Sequence, residues 1–279
     1  MKIYPKTNEY LEGIEEFEKT LKEYKGIEIQ YFKKSDKELV DFKIEKPIEQ
    51  ILERYPYIEE ITIHPPLCEY ELEIVLLKDK NIFLNQIKTI VRLSKKYNIK
   101  INIVEHTRLL MSQAKLTILP VLEKAKKIMK NTNTKIVFEN IYMMEEQENC
   151  SVIELCEYLN SENMKVCIDM CHLYCQAHIY KKKIEEFLEK YLNKEKCQRQ
   201  VYQIHFAYTA NEDGYIDRTT HAIMHPNEET LYYDAKLLCQ YGMVDCNWIT
   251  EVSEKDYSTR KDQVNEIKML SNQKIKLEE

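Results

Sequence analysis

The stretch Lys165–Tyr174, Lys-Val-Cys-Ile-Asp-Met-Cys-His-Leu-Tyr, places Asp169 and His172 directly after an uncharged run, Val166 to Ile168. The run has the length and β-branching of a short buried strand, so the two polar residues stand where the chain leaves it. A carboxylate and an imidazole three residues apart on such an exit can converge on one cation or one substrate. The arrangement recurs. Ile61 to Ile63 delivers His64 into Pro65-Pro66; Ile101 to Val104 ends in Glu105-His106; Ile136 to Phe138 ends in Glu139-Asn140. Val201 to Phe206 carries His205 near its end, and Trp248 to Val252 contains Glu251. A buried ring of carboxylates repels itself and takes up protons unless cations sit among them. Imidazoles interleaved with those carboxylates make a mixed nitrogen and oxygen donor set that suits zinc, manganese or iron. His178 is expected on a helix surface, and His221 and His225, in the polar stretch from Asn211 to Pro226, are open to either reading.

These residues need a scaffold that brings successive strand ends to one place. Eight strand-like runs alternate with segments of helical periodicity, such as Leu84, Ile87, Ile90 and Val91 or Leu231, Ala235, Leu238 and Tyr241. That alternation predicts an α/β (β/α)8 TIM barrel formed by residues 1–279 as a single domain, with the polar strand ends gathered on its C-terminal rim. A doubly wound sheet shares the alternation, but no glycine-rich turn follows the first strand. Along the chain, the pattern predicts a first strand over Lys2 to Tyr4 and a helix carrying Tyr10, Leu11, Ile14, Phe17, Leu21 and Tyr24, closed by Gly26. It predicts a last helix from about Lys261 to Leu270, followed by a frayed Lys-rich tail.

With 279 residues, four glycines and seven prolines, the chain can bury a full core and is neither collagen-like nor linker-rich. A formal charge of −6 with no basic tail gives nucleic acid no bulk electrostatic attraction. Nine cysteines without a Cys-x-x-Cys pair read as small buried hydrophobes, Cys167, Cys171 and Cys175 included. Met1-Lys2-Ile3 leads straight into a strand, with no secretory signal and no run of membrane-spanning length, so a cytoplasmic location is expected.

On these motifs the chain resembles the xylose-isomerase-like TIM barrels, the superfamily that includes endonuclease IV, sugar isomerases and epimerases, and inosose dehydratases. In the sugar epimerases of that group a Glu, an Asp, a His and a Glu hold one divalent metal, and Glu139, Asp169, His205 and Glu251 match in order. The endonuclease IV pattern has three zinc ions and further histidines, which His64, His106 and His172 match, together with an Asp-Arg-His group in the seventh loop. Asp217-Arg218 matches the start of that group, but Thr219 stands at the histidine position and His221 comes two residues later. The acidic residue expected after the strand-seven histidine is absent from His205-Phe-Ala-Tyr208, and Pro5-Lys-Thr-Asn8 replaces a glycine-rich first loop.

The resemblance implies a divalent-metal cofactor, zinc first and manganese second, with up to three ions. The implied ligands are His64, His106, Glu139, Asp169, His172, His205, Asp217, His221 and Glu251. It implies a metal-dependent phosphoester hydrolase acting on a small phosphorylated substrate or on DNA with an abasic site, with Glu139 or Glu251 orienting water. The alternative is a sugar or polyol isomerase, epimerase or dehydratase, in which Glu139 and Glu251 are base and acid and His172 and Arg218 hold substrate oxygens. A third reading is a barrel that binds a metal or ligand without turnover.

Overall fold

The computed structural model describes residues 1–31, 44–65, 72–107, 116–140, 151–192, 195–209, 222–254 and 256–278. Eight strands follow one another around a closed ring: β1 Lys2–Asn8, β2 Gly26–Gln30, β3 Glu60–His64, β4 Lys100–His106, β5 Lys135–Glu139, β6 Met164–Asp169, β7 Val201–Phe206 and β8 Asn247–Thr250. Every neighbouring pair is parallel, and β8 returns to β1 through Ile3↔Trp248 and Tyr4↔Ile249. The helices between them are α1 Glu18–Tyr24, α2 Glu45–Arg54, α3 Leu72–Tyr97, α4 Leu119–Met129, α5 Ser151–Leu159, α6 Met170–Ile179, α7 Ile184–Leu192, α8 Glu195–Gln198, α9 Glu228–Gln240 and α10 Lys261–Glu278. The (β/α)8 barrel that the alternation predicts is the fold.

Period-two patterning assigns the faces. Ile27, Ile29, Ile61, Ile63, Ile101, Ile103, Phe138, Ile204 and Trp248 belong to the main apolar core between the strands and the helices, all of them buried. The alternate residues fill the barrel's lumen, and these are largely polar. At its base Glu60 accepts hydrogen bonds from Asn102 (2.9 Å), Asn247 (2.8 Å) and Tyr202 (2.6 Å). Above it the Thr62 hydroxyl donates to Gln203 (3.3 Å), whose amide donates to Glu28 (2.7 Å). Buried polar groups of this kind persist only when each finds a partner, and the layers are tied in that way up to the rim.

Several boundaries differ from those the sequence pattern predicts, the end of β8 among them, at Thr250 rather than Val252. β1 does not stop at Tyr4 but runs through Pro5 to Asn8, because proline gives up only one N–H and the strand is paired on both sides. The first helical stretch is a 3-10 turn, Ile14–Phe17, leading into α1, and Lys25 in the left-handed region (φ 58°) is its cap. Gly26 therefore does not close the helix. It opens β2, where the Tyr4 ring lies so near that a Cβ would come within 2.2 Å of it. Finally, the Lys-rich tail is helical to Glu278: Leu277 is buried, and the N-terminal ammonium pairs with Glu278 at 2.8 Å. Among the described residues, no helix is long and apolar enough to cross a membrane.

Candidate metal centre

Strand register decides which side chains meet at the rim, since parallel partners share a face. Lys6 lies opposite Glu28, Gln30 opposite His64, His106 opposite Glu139, Glu139 opposite Cys167, and Asp169 opposite His205. Glu251 is the first residue past β8, and its N–H bonds the Phe206 carbonyl (3.1 Å), which holds it beside β7. The ligand-type atoms of Glu139, Asp169, His205 and Glu251 then lie within 4.8 Å of one another. So do those of His64, His106 and Glu139, those of Glu28, His64 and His205, and those of Glu139, Cys167 and His205. Glu139 is the hub: its Oε2 is 3.1 Å from His205 Nδ1, 3.2 Å from His106 Nε2 and 3.4 Å from His64 Nε2.

These atoms are buried and left open. His64 Nε2, His106 Nε2, Glu139 Oε2, His205 Nδ1 and Glu251 Oε2 have no hydrogen-bond partner. His205 Nδ1 and Glu251 Oε2 approach to 2.7 Å without the geometry of a hydrogen bond. Such orphaned groups are costly unless something unites them, and lone pairs converging from the ends of five strands of the same rim are what a cation needs. Electrostatics agrees. Burial favours protonated carboxyls, yet the His205 and His106 imidazoles hold Glu139 well below the ordinary carboxylate range. Burial is likewise outweighed at Glu251 by His205 and Lys6. Asp169 goes the other way: burial, with Glu139 and Glu251 prevailing over His172, pushes it up to about 7. A divalent ion would relieve that crowding of negative charge. The donor set fits zinc or a similar ion, and it is present as several overlapping clusters.

Asp169 has a second task. It caps α6, accepting from the His172 N–H at 2.7 Å, so the strand exit becomes the first turn of a helix. His172 thereby sits beside the cluster, with Nδ1 2.6 Å from the Asn140 carbonyl and 3.5 Å from Glu139. Asp217, Arg218, Thr219 and His221 lie outside the described residues. His178 is exposed on α6, as its position predicts. His225 belongs to none of these clusters and is held between Glu266 and Asp234 and stacked on Phe206. The cysteines described are mostly buried, in line with their reading as small hydrophobes, but Cys167 faces the lumen beside His205 and Glu139. Burial pushes its thiol up, with His205 acting in the opposite direction.

Lys6 and Glu28 are the rim residues that the sequence pattern does not single out. Lys6 Nζ lies 2.9 Å from Glu28 and 2.5 Å from Glu251, and Glu28 lies 3.0 Å from His205 Nε2. The signal that could find them is a charged residue at an alternate position inside an otherwise apolar strand, as in Gly26-Ile-Glu-Ile-Gln30.

Residues 16–222 match the family model described as the xylose isomerase-like TIM barrel. The chain belongs to this family. No curated protein sequence matches it. Among solved structures, this xylose isomerase-like barrel is similar to the IOLI protein with a bound zinc atom, at 15% identity and a TM-score of 0.64, over 99% of this chain and 98% of that one. A D-tagatose 3-epimerase-like protein is similar at 16% identity and a TM-score of 0.61, over 99% and 98% of the two chains. An AP endonuclease of family 2 from Brucella melitensis is similar at 12% identity and a TM-score of 0.56, over 94% and 96%. At these identities the likeness is one of fold.

Proposed function

We propose that this xylose isomerase-like barrel is a divalent-metal-dependent isomerase or epimerase acting on a small sugar or polyol-derived hydroxycarbonyl compound. The observation that carries the reading is the convergence of Glu139, Asp169, His205 and Glu251, with open atoms on Glu139, His205 and Glu251 facing one point. Those residues would hold the ion, and a bound divalent cation would act as a Lewis acid on vicinal substrate oxygens. The proton chemistry belongs to the two glutamates. One carboxylate takes the proton from the carbon next to the carbonyl, and the electron pair moves onto the carbonyl oxygen. The other carboxyl group, protonated in that half of the cycle, returns a proton to the opposite face of the same carbon, or to the former carbonyl carbon while the adjacent hydroxyl's proton passes to the former carbonyl oxygen. His205 holds Glu139 and Glu251 below the ordinary carboxylate range, which suits whichever of the two acts as the base. Among the described residues of the rim, the Lys6 ammonium is committed to Glu28 and Glu251, so it is not free to pair with a phosphate. Relatives by fold include the D-tagatose 3-epimerase-like protein, and this too favours sugar chemistry.

A second reading, phosphoester hydrolysis, draws on the His64, His106 and Glu139 cluster, which could hold another cation and orient attacking water. Metal content separates the two. Protein prepared without a histidine tag is expected to hold one equivalent by elemental mass spectrometry, and His64→Ala and His106→Ala are expected to retain it. Two or three equivalents, with about one lost in each variant, would transfer the assignment to the hydrolase. The proton step has its own check. A panel of ketoses in D2O should take up deuterium at one carbon, and Glu139→Gln and Glu251→Gln should stop it. Absence of exchange across the panel would count against the isomerase.

A further inference from the structure

Glu28 sits beneath the cluster and contributes no atom to the four-residue set of Glu139, Asp169, His205 and Glu251. It is fully buried; Oε2 accepts a hydrogen bond from Gln203, and Oε1 is ion-paired with Lys6 without the geometry of a hydrogen bond. Oε2 lies 3.0 Å from His205 Nε2, and Oε1 lies 2.9 Å from Lys6 Nζ. Lys6 in turn reaches Glu251 Oε1 at 2.5 Å. The result is a continuous arc, His205–Glu28–Lys6–Glu251, drawn from β7, β2, β1 and the end of β8, strands that are neighbours around the closed ring. Its two ends are the residues whose remaining atoms, His205 Nδ1 and Glu251 Oε2, face each other at 2.7 Å.

An imidazole offers a lone pair on one nitrogen only when the proton is on the other. Gln203 Nε2 lies 2.9 Å from His205 Nε2, and if it donated there the imidazole proton would be on Nδ1, facing Glu139 and Glu251. The alternative puts the proton on Nε2, where Glu28 accepts it. The Thr62 hydroxyl bonds Gln203 Oε1, which turns the Gln203 amide N–H toward Glu28 as well and strengthens that acceptor's placement. Lys6 performs the matching task at the other end. By occupying Oε1 of Glu251 it leaves Oε2 as the atom presented to the centre.

We infer that Glu28, steadied by Lys6, is a positioning residue that sets the His205 tautomer for coordination through Nδ1. The inference rests on the reading of this rim as a metal centre. The test compares wild type with Glu28→Gln, which keeps shape and an acceptor oxygen but loses the charge, and with Glu28→Ala, which loses both. Zinc affinity is measured by calorimetric titration, the visible spectrum is recorded after loading with cobalt(II), and circular dichroism without metal verifies the fold. Glu28→Ala should bind zinc roughly 10–100-fold more weakly, the scale found when a partner of a ligating histidine is removed. Glu28→Gln should recover part of the loss, and the cobalt spectrum should change in both variants. A merely structural role would move the unfolding midpoint and leave the spectrum of the folded protein unaltered. If Glu28→Ala does not fold, Glu28→Gln alone decides. Wild-type affinity and an unchanged spectrum in the variants would overturn the inference while leaving the metal centre standing. Wild-type protein that takes up neither zinc nor cobalt would overturn the metal reading itself, and this inference with it.

Discussion

At the scale of single residues, Glu139 is the side chain on which the rim depends, because its Oε2 stands within 3.4 Å of His64, His106 and His205 at once. Glu139→Gln keeps the volume but replaces a charged donor with an amide nitrogen or a neutral oxygen. Metal affinity should fall by about 10–100-fold or more, given that outer partners alone are worth that much. Glu251→Gln should act in the same direction and by less, since Lys6 already draws on one of its oxygens. Elemental analysis of both purified variants checks this, and unchanged content in both would remove these residues from the centre. Much of the constellation is legible in the sequence because a histidine or carboxylate at the end of an apolar run has few other places to go. Lys6 and Glu28 are not legible in that way. Each sits inside a strand, where a charged residue ordinarily argues for a solvent-facing position, and only the closed ring turns that face into a polar lumen.

Between elements, two contacts set how the strands and helices seat. Gly26 begins β2 against the face of Tyr4 on β1, and a methyl group there would lie 2.2 to 2.5 Å from ring carbons. Gly26→Ala should therefore cost about 1–3 kcal/mol, the range for overpacking a filled interior. Urea denaturation measures it, and a variant as stable as wild type would show that the Tyr4 ring can move aside. The second contact joins α9 and α10 to the chain after β7. The His225 ring lies between Asp234 of α9 and Glu266 of α10, and the His225 backbone N–H also donates to Glu266 (3.0 Å). Tyr174 of α6 bonds the same Asp234, and the rings of Phe206 and Tyr208 close the remaining faces. Burial disfavours a charged imidazole, but Asp234 and Glu266 prevail and raise His225 above its ordinary value. A raised folded value means stability that is fully present below the unfolded value of about 6.5 and is lost as pH climbs through the folded one. Wild type should lose stability across that window on the alkaline side, and His225→Gln should be flatter there. Parallel slopes of the two unfolding midpoints against pH would show that the pair does not titrate. The sequence left His225 open because the residues it meets are nine and 41 positions away. Helix periodicity places Asp234 and Glu266 on their own helices but says nothing of which loop they receive.

For the whole molecule, the barrel is fastened by two different interiors. The apolar layer between strands and helices supplies the larger part of the burial, and the alternation of strand-like runs with segments of helical periodicity is the reason that the eight-strand ring could be anticipated from the chain alone. The lumen is the opposite case, a stack of polar groups that rises from Glu60 to an arc of like-charged carboxylates at the rim. Without a cation the penalty falls on Asp169, which burial and the neighbouring Glu139 and Glu251 carboxylates drive toward protonation. An ion bound by Glu139, Asp169, His205 and Glu251 would join the ends of β5, β6, β7 and β8, and through Lys6 the link continues to β1. Such binding favours the folded state by mass action, about 2.7 kcal/mol at a free concentration one hundred times the dissociation constant. At roughly 2–4 °C per kcal/mol for chains near this size, saturating zinc should raise the unfolding midpoint over chelator-treated protein by on the order of 5 °C. Calorimetry with and without zinc measures the difference. The Glu139→Gln/Glu251→Gln double variant serves as the control, for it lacks two of the four donor carboxylates and should gain little from zinc over its own chelated midpoint. An equal gain in both proteins would place the stabilising ion elsewhere on the barrel, and no gain in wild type would mean that the rim does not take it up.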